Sequence, residues 1–176
     1  MFNDGRSKKV VVVVHCVLNH NARMDPYARH KGAVTEIVDY LMEKDYGILQ
    51  IPCPEFLYMG LLREKRTKEL PEVWHVLGTP EGRAKCREIA LQTAMQIKQY
   101  RENGFYVAAV IGKNQSPSCG VEETTIGDEV LEGPGIFIQE LRKVFEEQGI
   151  EIPIVACPQG ENESVGILDW LKENVK

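Results

Sequence analysis

The sequence has no apolar run approaching the ~20 residues that a membrane-spanning helix needs. Lys8-Lys9 followed by Val10–Val14 has the outline of a signal peptide. The run is too short, however, and His15, Asn19 and His20 follow at once. A cytoplasmic location with no membrane partner is expected. No long basic stripe is present either, and the net charge is −5. Phosphate binding needs clustered positive charge, so nucleic acid is not expected as an obligate partner. The stretch Arg63, Lys65, Arg66, Lys68 is interleaved with Glu64 and Glu69 and reads as a solvated face. No histidine stands at zinc-finger spacing from a cysteine. Repeats and domain linkers are missing too, so the 176 residues read as one domain, 1–176.

What is present is an alternation of strand and helix signals. Val10–Val14 is a continuous β-branched run, suited to a strand buried on both faces. Asp25-Pro26 reads as a helix start, with Val34, Ile37, Val38 and Leu41 as its apolar face and Gly47 beyond its end. Ile48–Ile51 is a second strand. Residues 54–79 read as a lid or insertion over one end of the sheet. Thr79-Pro80-Glu81 opens a helix whose inner face is Cys86, Ile89, Ala90, Thr93, Ile97 and Tyr100, with Gly104 as its stop. Phe105–Ile111 is a third strand, and 131–135 a turn. Phe137, Leu141, Val144 and Phe145 mark the next helix, closed by Gly149. Ile150–Ala156 is the fourth strand, Cys157-Pro158-Gln159-Gly160 a turn, and Val165, Leu168 and Leu171 the face of a last helix. The expected fold is α/β: a three-layer αβα domain around a four-stranded parallel sheet of order 2-1-3-4, Rossmann- or flavodoxin-like. Ligands in such folds sit beyond the carboxyl ends of the strands, at the switch point between strands 1 and 3.

The chain has five cysteines, and four follow predicted strands: Cys16, Cys53, Cys119 and Cys157. Cys86 lies on a helix face and reads as a small core residue. Strands about 4.8 Å apart would let thiols from strands 2, 1 and 3 surround one polynuclear centre, with Cys157 about 10 Å from strand 1. Three ligands plus an open position is a catalytic pattern; four closed thiolates are a structural one. Soft thiolates suit iron–sulfur, with zinc as competitor. Prolines stiffen these turns, and Gly120 permits close backbone approach. His15 and His20 read as loop hydrogen-bonding groups.

Cys16-Val17-Leu18, Cys53-Pro54-Glu55 with the trailing Gly60-Leu61, and Ser116-Pro117-Ser118-Cys119-Gly120 appear in that order, each after a strand. In this the chain resembles the 2-thiouracil desulfurase (TudS) family and its desulfidase relatives, over roughly residues 9–122. The resemblance implies a 4Fe-4S cluster held by Cys16, Cys53 and Cys119, with the fourth iron open to a thiocarbonyl sulfur. It implies a non-redox desulfidase that releases hydrosulfide from a small thiocarbonyl molecule such as a thiolated nucleobase. Glu55, two residues from a ligand, is the expected activator of water. Ser116 and Ser118 are expected to orient substrate or donate to cluster sulfur, and Lys113 to stabilise negative charge. Two loops depart from the family pattern, Asn19–Arg23 and Leu62–Arg66. They leave the identity of the thiocarbonyl compound open.

Two other readings compete. Val14-His15-Cys16 with Arg23 is similar to the low-molecular-weight phosphotyrosine phosphatases. Six residues separate Cys16 from Arg23, one more than such a phosphate loop holds, and Cys53 and Cys119 would be idle. The second is a non-catalytic zinc or iron–sulfur module in which Cys157 closes a four-cysteine site.

Overall fold

A computed structural model describes residues 2–158 and 165–175. The expected turn residues Gln159 and Gly160 lie outside the described residues. β1 (Lys9–Val14) is the valine run, and Val11, Val12 and Val13 are 0% exposed. Burial on both faces is what its unbroken apolar pattern demands, and each fully buried valine contributes about 1.5 kcal/mol or more. One helical turn follows, α1 (His15–Leu18), and then a short 3₁₀ turn, His20–Ala22. α2 (Thr35–Glu43) buries Ile37 and Leu41. The helix start expected at Asp25-Pro26 is not there. Tyr27 N–H bonds the Met24 carbonyl in a turn, and the helix waits for Thr35. No 3–4 apolar spacing exists before Val34, so a proline and an N-cap residue alone do not hold a helix against solvent.

β2 (Gly47–Ile51) leads to two short helices, α3 (Pro54–Met59) and α4 (Val73–Gly78). The long α5 (Pro80–Glu102) starts where its sequence says. Thr79 Oγ1 accepts from Gly82 N–H at 3.1 Å, and Pro80 occupies the first turn. Its inner face buries Cys86, Ile89, Ala90, Thr93 and Ile97. Cys86 is a core residue, and burial pushes its thiol up to about 12. β3 (Tyr106–Lys113) runs two residues further than predicted, which brings Lys113 into the strand. A hairpin follows, β4 (Glu123–Ile126) and β5 (Glu129–Glu132), where the sequence suggested only a turn at 131–135. α6 (Ile136–Gln148) ends on Gly149 in the left-handed region, φ 64°. β6 (Ile154–Cys157) begins four residues later than expected, because Pro153 has no N–H to give a ladder. In α7 (Val165–Asn174) the buried residues are Ile167 and Leu171, whereas Val165 is exposed.

The sheet order is β2-β1-β3-β6, all parallel, as expected for strands 2-1-3-4. α5 packs on α6 and on β3, while α2 packs on α7 and β2. These pairings are the two helical layers that right-handed crossovers dictate. The chain turns one way from β1 and the other way from β3, so a crevice opens at the carboxyl ends of these two strands.

One buried charge ties α5 to α6. Glu140 is 5% exposed and accepts from Arg83 Nη1 at 2.8 Å and Lys143 Nζ at 2.9 Å. Burial opposes its ionisation, but the two cations prevail and hold the carboxyl below its ordinary value of 4.5. A lowered folded value gives stability that is complete above 4.5 and lost as pH falls through the folded value. Glu140→Gln is therefore expected to cost about 1–3 kcal/mol at neutral pH. It should also flatten the acid limb of the stability curve in urea titrations. An unchanged acid limb would show that the pair carries no linkage.

Candidate functional site

Each strand of the β2-β1-β3 trio hands a cysteine to the same end of the sheet. Cys16 lies in α1, directly after β1. Its carbonyl accepts from His20 Nδ1 at 3.0 Å, which pins the turn. Cys53 follows β2 across Pro52 and is the N-cap of α3, where its Sγ accepts from Phe56 N–H at 3.5 Å. Cys119 sits in the loop after β3, which folds back over the strand end: Lys113 N–H donates to the Cys119 carbonyl at 2.9 Å. Gly120 makes that fold possible, since a Cβ there would stand 2.2 Å from the Glu123 carbonyl oxygen.

All three cysteines line one cavity of about 320 Å³. Burial first, then the neighbouring Glu55, pushes the Cys53 thiol up to about 12. Burial, then Cys53 and Cys16, raises Cys119 well above its ordinary value. The three sulfurs thus feel one another, and a cation among them would relieve both penalties. Among the described residues no three His, Cys, Asp or Glu side chains are disposed to hold a single metal ion. The thiols border a space, not a point, and this donor set fits a soft polynuclear centre better than one zinc ion.

Cys157 is not brought to this cavity. It is the last residue of β6, 0% exposed, paired in register with Lys113, and its Sγ lies 4.0 Å from Lys113 Nζ. The position beyond the strand end expected for it is displaced because β6 starts late and runs through it. No disulfide involves any of the five cysteines.

The polar residues singled out in the sequence also meet here. Ser116 Oγ accepts from the N–H groups of Cys119 at 3.0 Å and Ser118 at 3.3 Å, holding the loop tight. Ser118 Oγ lies 3.2 Å from Ser116 Oγ and 3.5 Å from Cys119 Sγ, and donates to Glu55 Oε1 at 2.5 Å. Glu55, in the first turn of α3 just after Cys53, also lines the cavity. Lys113 also lines it, and its Nζ donates to the Pro158 carbonyl at 2.6 Å. His15 Nδ1 accepts from Gln50 Nε2 at 2.9 Å, leaving Nε2–H as a buried donor at the cavity wall with no hydrogen-bond partner among the described residues. Burial lowers its pKa and keeps the ring neutral.

No protein-family model matches the chain. A protein of Methanocaldococcus jannaschii described as uncharacterized, MJ0003, is 28% identical over 171 residues, which cover 97% of this chain and 99% of that protein. Among solved structures, that of the 4Fe-4S-dependent thiouracil desulfidase TudS aligns over 95% of this chain and 99% of its own. The TM-score is 0.54 and the identity 20%. The chain has the fold of TudS. No helix among the described residues is long and apolar enough to cross a membrane.

Within this TudS-like fold, two parts of the cavity wall escaped the sequence reading. The β4–β5 hairpin contributes Thr125, Gly127, Asp128 and Val130. Gly127-Asp128 between two β-prone stretches was its available signal. The other is Arg63, taken from sequence as part of a solvated face. It is 2% exposed and lies in the cavity wall, which Arg66 and Trp74 also line. Nothing local distinguishes it; its burial comes from partners far along the chain.

Proposed function

We propose that this chain is an iron–sulfur-dependent desulfidase that converts a small-molecule thiocarbonyl to the carbonyl without net redox change. The observation that carries the reading is the convergence of Cys16, Cys53 and Cys119 on one cavity that Glu55, hydrogen-bonded to Ser118 beside Cys119, also lines. The balance is R₂C=S + H₂O → R₂C=O + HS⁻ + H⁺, so both protons leave the attacking water: one is handed on to sulfur and the other is released to solvent. Cys16, Cys53 and Cys119 are the residues that would hold a 4Fe-4S cluster. Bound there, such a cluster supplies a Lewis-acidic iron without a protein ligand for the substrate sulfur.

The remaining roles fall to side chains of the cavity. Glu55 takes the proton from the attacking water. Ser118, hydrogen-bonded to Glu55 Oε1, sets the orientation of that carboxylate, and Ser116 fixes the loop that carries both Ser118 and Cys119. Lys113, which also lines the cavity, adds positive charge to the site where negative charge builds on the departing sulfur. Residues 54–79 act as the lid, since Glu55, Arg63, Arg66, Glu72, Val73 and Trp74 all face the cavity. A cavity of about 320 Å³ is at the small end of ligand sites, in keeping with a single-ring thiocarbonyl compound.

The test is anaerobic reconstitution with iron and sulfide, followed by incubation with 2-thiouracil and a panel of cyclic thioamides. Hydrosulfide release in step with loss of the thiocarbonyl absorbance is expected. A fully loaded protein inert toward every member of the panel would overturn the reading.

A further inference from the structure

We propose that Arg63 is the positioning residue of this site, a fixed guanidinium that grips one oxygen of Glu55 so that the other meets Ser118. The inference rests on the desulfidase reading, in which Glu55 handles the proton.

Arg63 Nε donates to Glu55 Oε2 at 3.0 Å, while Ser118 Oγ donates to Glu55 Oε1 at 2.5 Å. The carboxylate is therefore held from both sides, by a cation behind and a hydroxyl in front. The cation itself makes three further bonds. Its Nη1 donates to the carbonyls of Gly60 at 3.1 Å and Leu61 at 2.7 Å, and its Nη2 to that of Ala22 at 3.0 Å. These bonds join the turn after α3 to the 3₁₀ turn that follows Cys16. One side chain thus anchors the carboxylate of Glu55 to main chain on two sides of it.

Two further observations argue that the side chain, not the turn, is the purpose of this residue. Arg63 has φ +59°, a left-handed conformation that costs an ordinary residue and costs glycine nothing. If only the turn mattered, glycine or asparagine would serve better. The guanidinium is also buried, at a desolvation penalty that only full pairing offsets. A planar fork matches this arrangement, and a lysine ammonium cannot reproduce it.

The test compares wild type, Arg63→Gly, Arg63→Lys, Glu55→Gln and the Glu55→Gln/Arg63→Gly double variant, each as the full chain reconstituted anaerobically. Arg63→Gly removes the side chain and relieves the backbone together, so the fold should survive. With 2-thiouracil as probe, its kcat should fall on the order of a hundredfold, with KM within about threefold and the iron content unchanged. Arg63→Lys should fall roughly tenfold. The double variant should be no slower than Glu55→Gln alone, because Arg63 acts through Glu55. Losses that multiply would overturn the proposal, as would an Arg63→Gly enzyme with wild-type kcat.

Crystal structures of Arg63→Gly and Arg63→Lys decide the point independently of turnover. The contact between Glu55 and Ser118 should be lost in the first; its persistence in both variants overturns the proposal. A fully loaded wild type that leaves 2-thiouracil and the wider panel untouched counts against the desulfidase reading, and the crystallographic comparison still judges Arg63.

Discussion

Replacing Cys119 by alanine should abolish retention of iron while leaving the chain folded. The loop that carries it is held by main-chain bonds that the substitution does not touch: Cys119 N–H to Ser116 Oγ, the Cys119 carbonyl to Lys113 N–H, and Gly120 N–H to the Ser116 carbonyl. What is lost is one of three sulfurs around the cavity, and two thiolates do not hold a cluster core against loss to solvent. Anaerobic reconstitution followed by iron and labile-sulfide counts measures this. Wild type should hold about four irons and show the broad visible absorption of a cluster. Cys157→Ala should behave as wild type, because that thiol is buried against Lys113 and does not face the cavity. Retention of iron by Cys119→Ala, or its loss in Cys157→Ala, would replace the three-ligand site with a different one.

Glu55→Gln should be the most damaging change that leaves the cluster in place. The amide keeps the shape of the carboxylate and can still accept from Arg63 or Ser118, but it cannot take a proton from water. General-base contributions of this kind are commonly about 10²–10⁴-fold in rate. The fall should appear in kcat, with iron content and visible spectrum unchanged. A second consequence is thermodynamic. Arg63 would remain buried with a neutral partner, so the melting temperature should drop as well. A Glu55→Gln variant that releases hydrosulfide at the wild-type rate would remove Glu55 from the chemistry.

The elements that could be read in advance are those whose signals are local and dense. β1 and β3 are unbroken apolar runs because both faces of a central parallel strand are covered. α5 announces itself with Thr79-Pro80 and a long inner face. The cysteine trio was legible because each member lies in the segment that follows a strand, and the sheet order, with the loop after β3 folding back over its end, brings them near one another. The hairpin was not, since all four residues of β5 are exposed and carry no buried alternation to detect. The start of α2 was misplaced because Asp25-Pro26 satisfies the rules for a helix end without an apolar face to pack. Arg63 was hidden for a different reason. In the run Leu62–Arg66 it looks like any surface charge, and only the approach of Ala22 and Glu55 from elsewhere makes it interior.

The all-parallel pairing of β2, β1 and β3 also sets an order of events. Parallel neighbours cannot be joined by a tight turn, so each pairing closes a long loop before any contact repays it. The three thiols therefore share no neighbourhood in the nascent chain, and they meet only once β2, β1 and β3 have paired. Small zinc modules work the other way round, collapsing onto their ion. Here the polypeptide is a mould that must set before anything is cast in it, and stripping the casting should leave the mould standing.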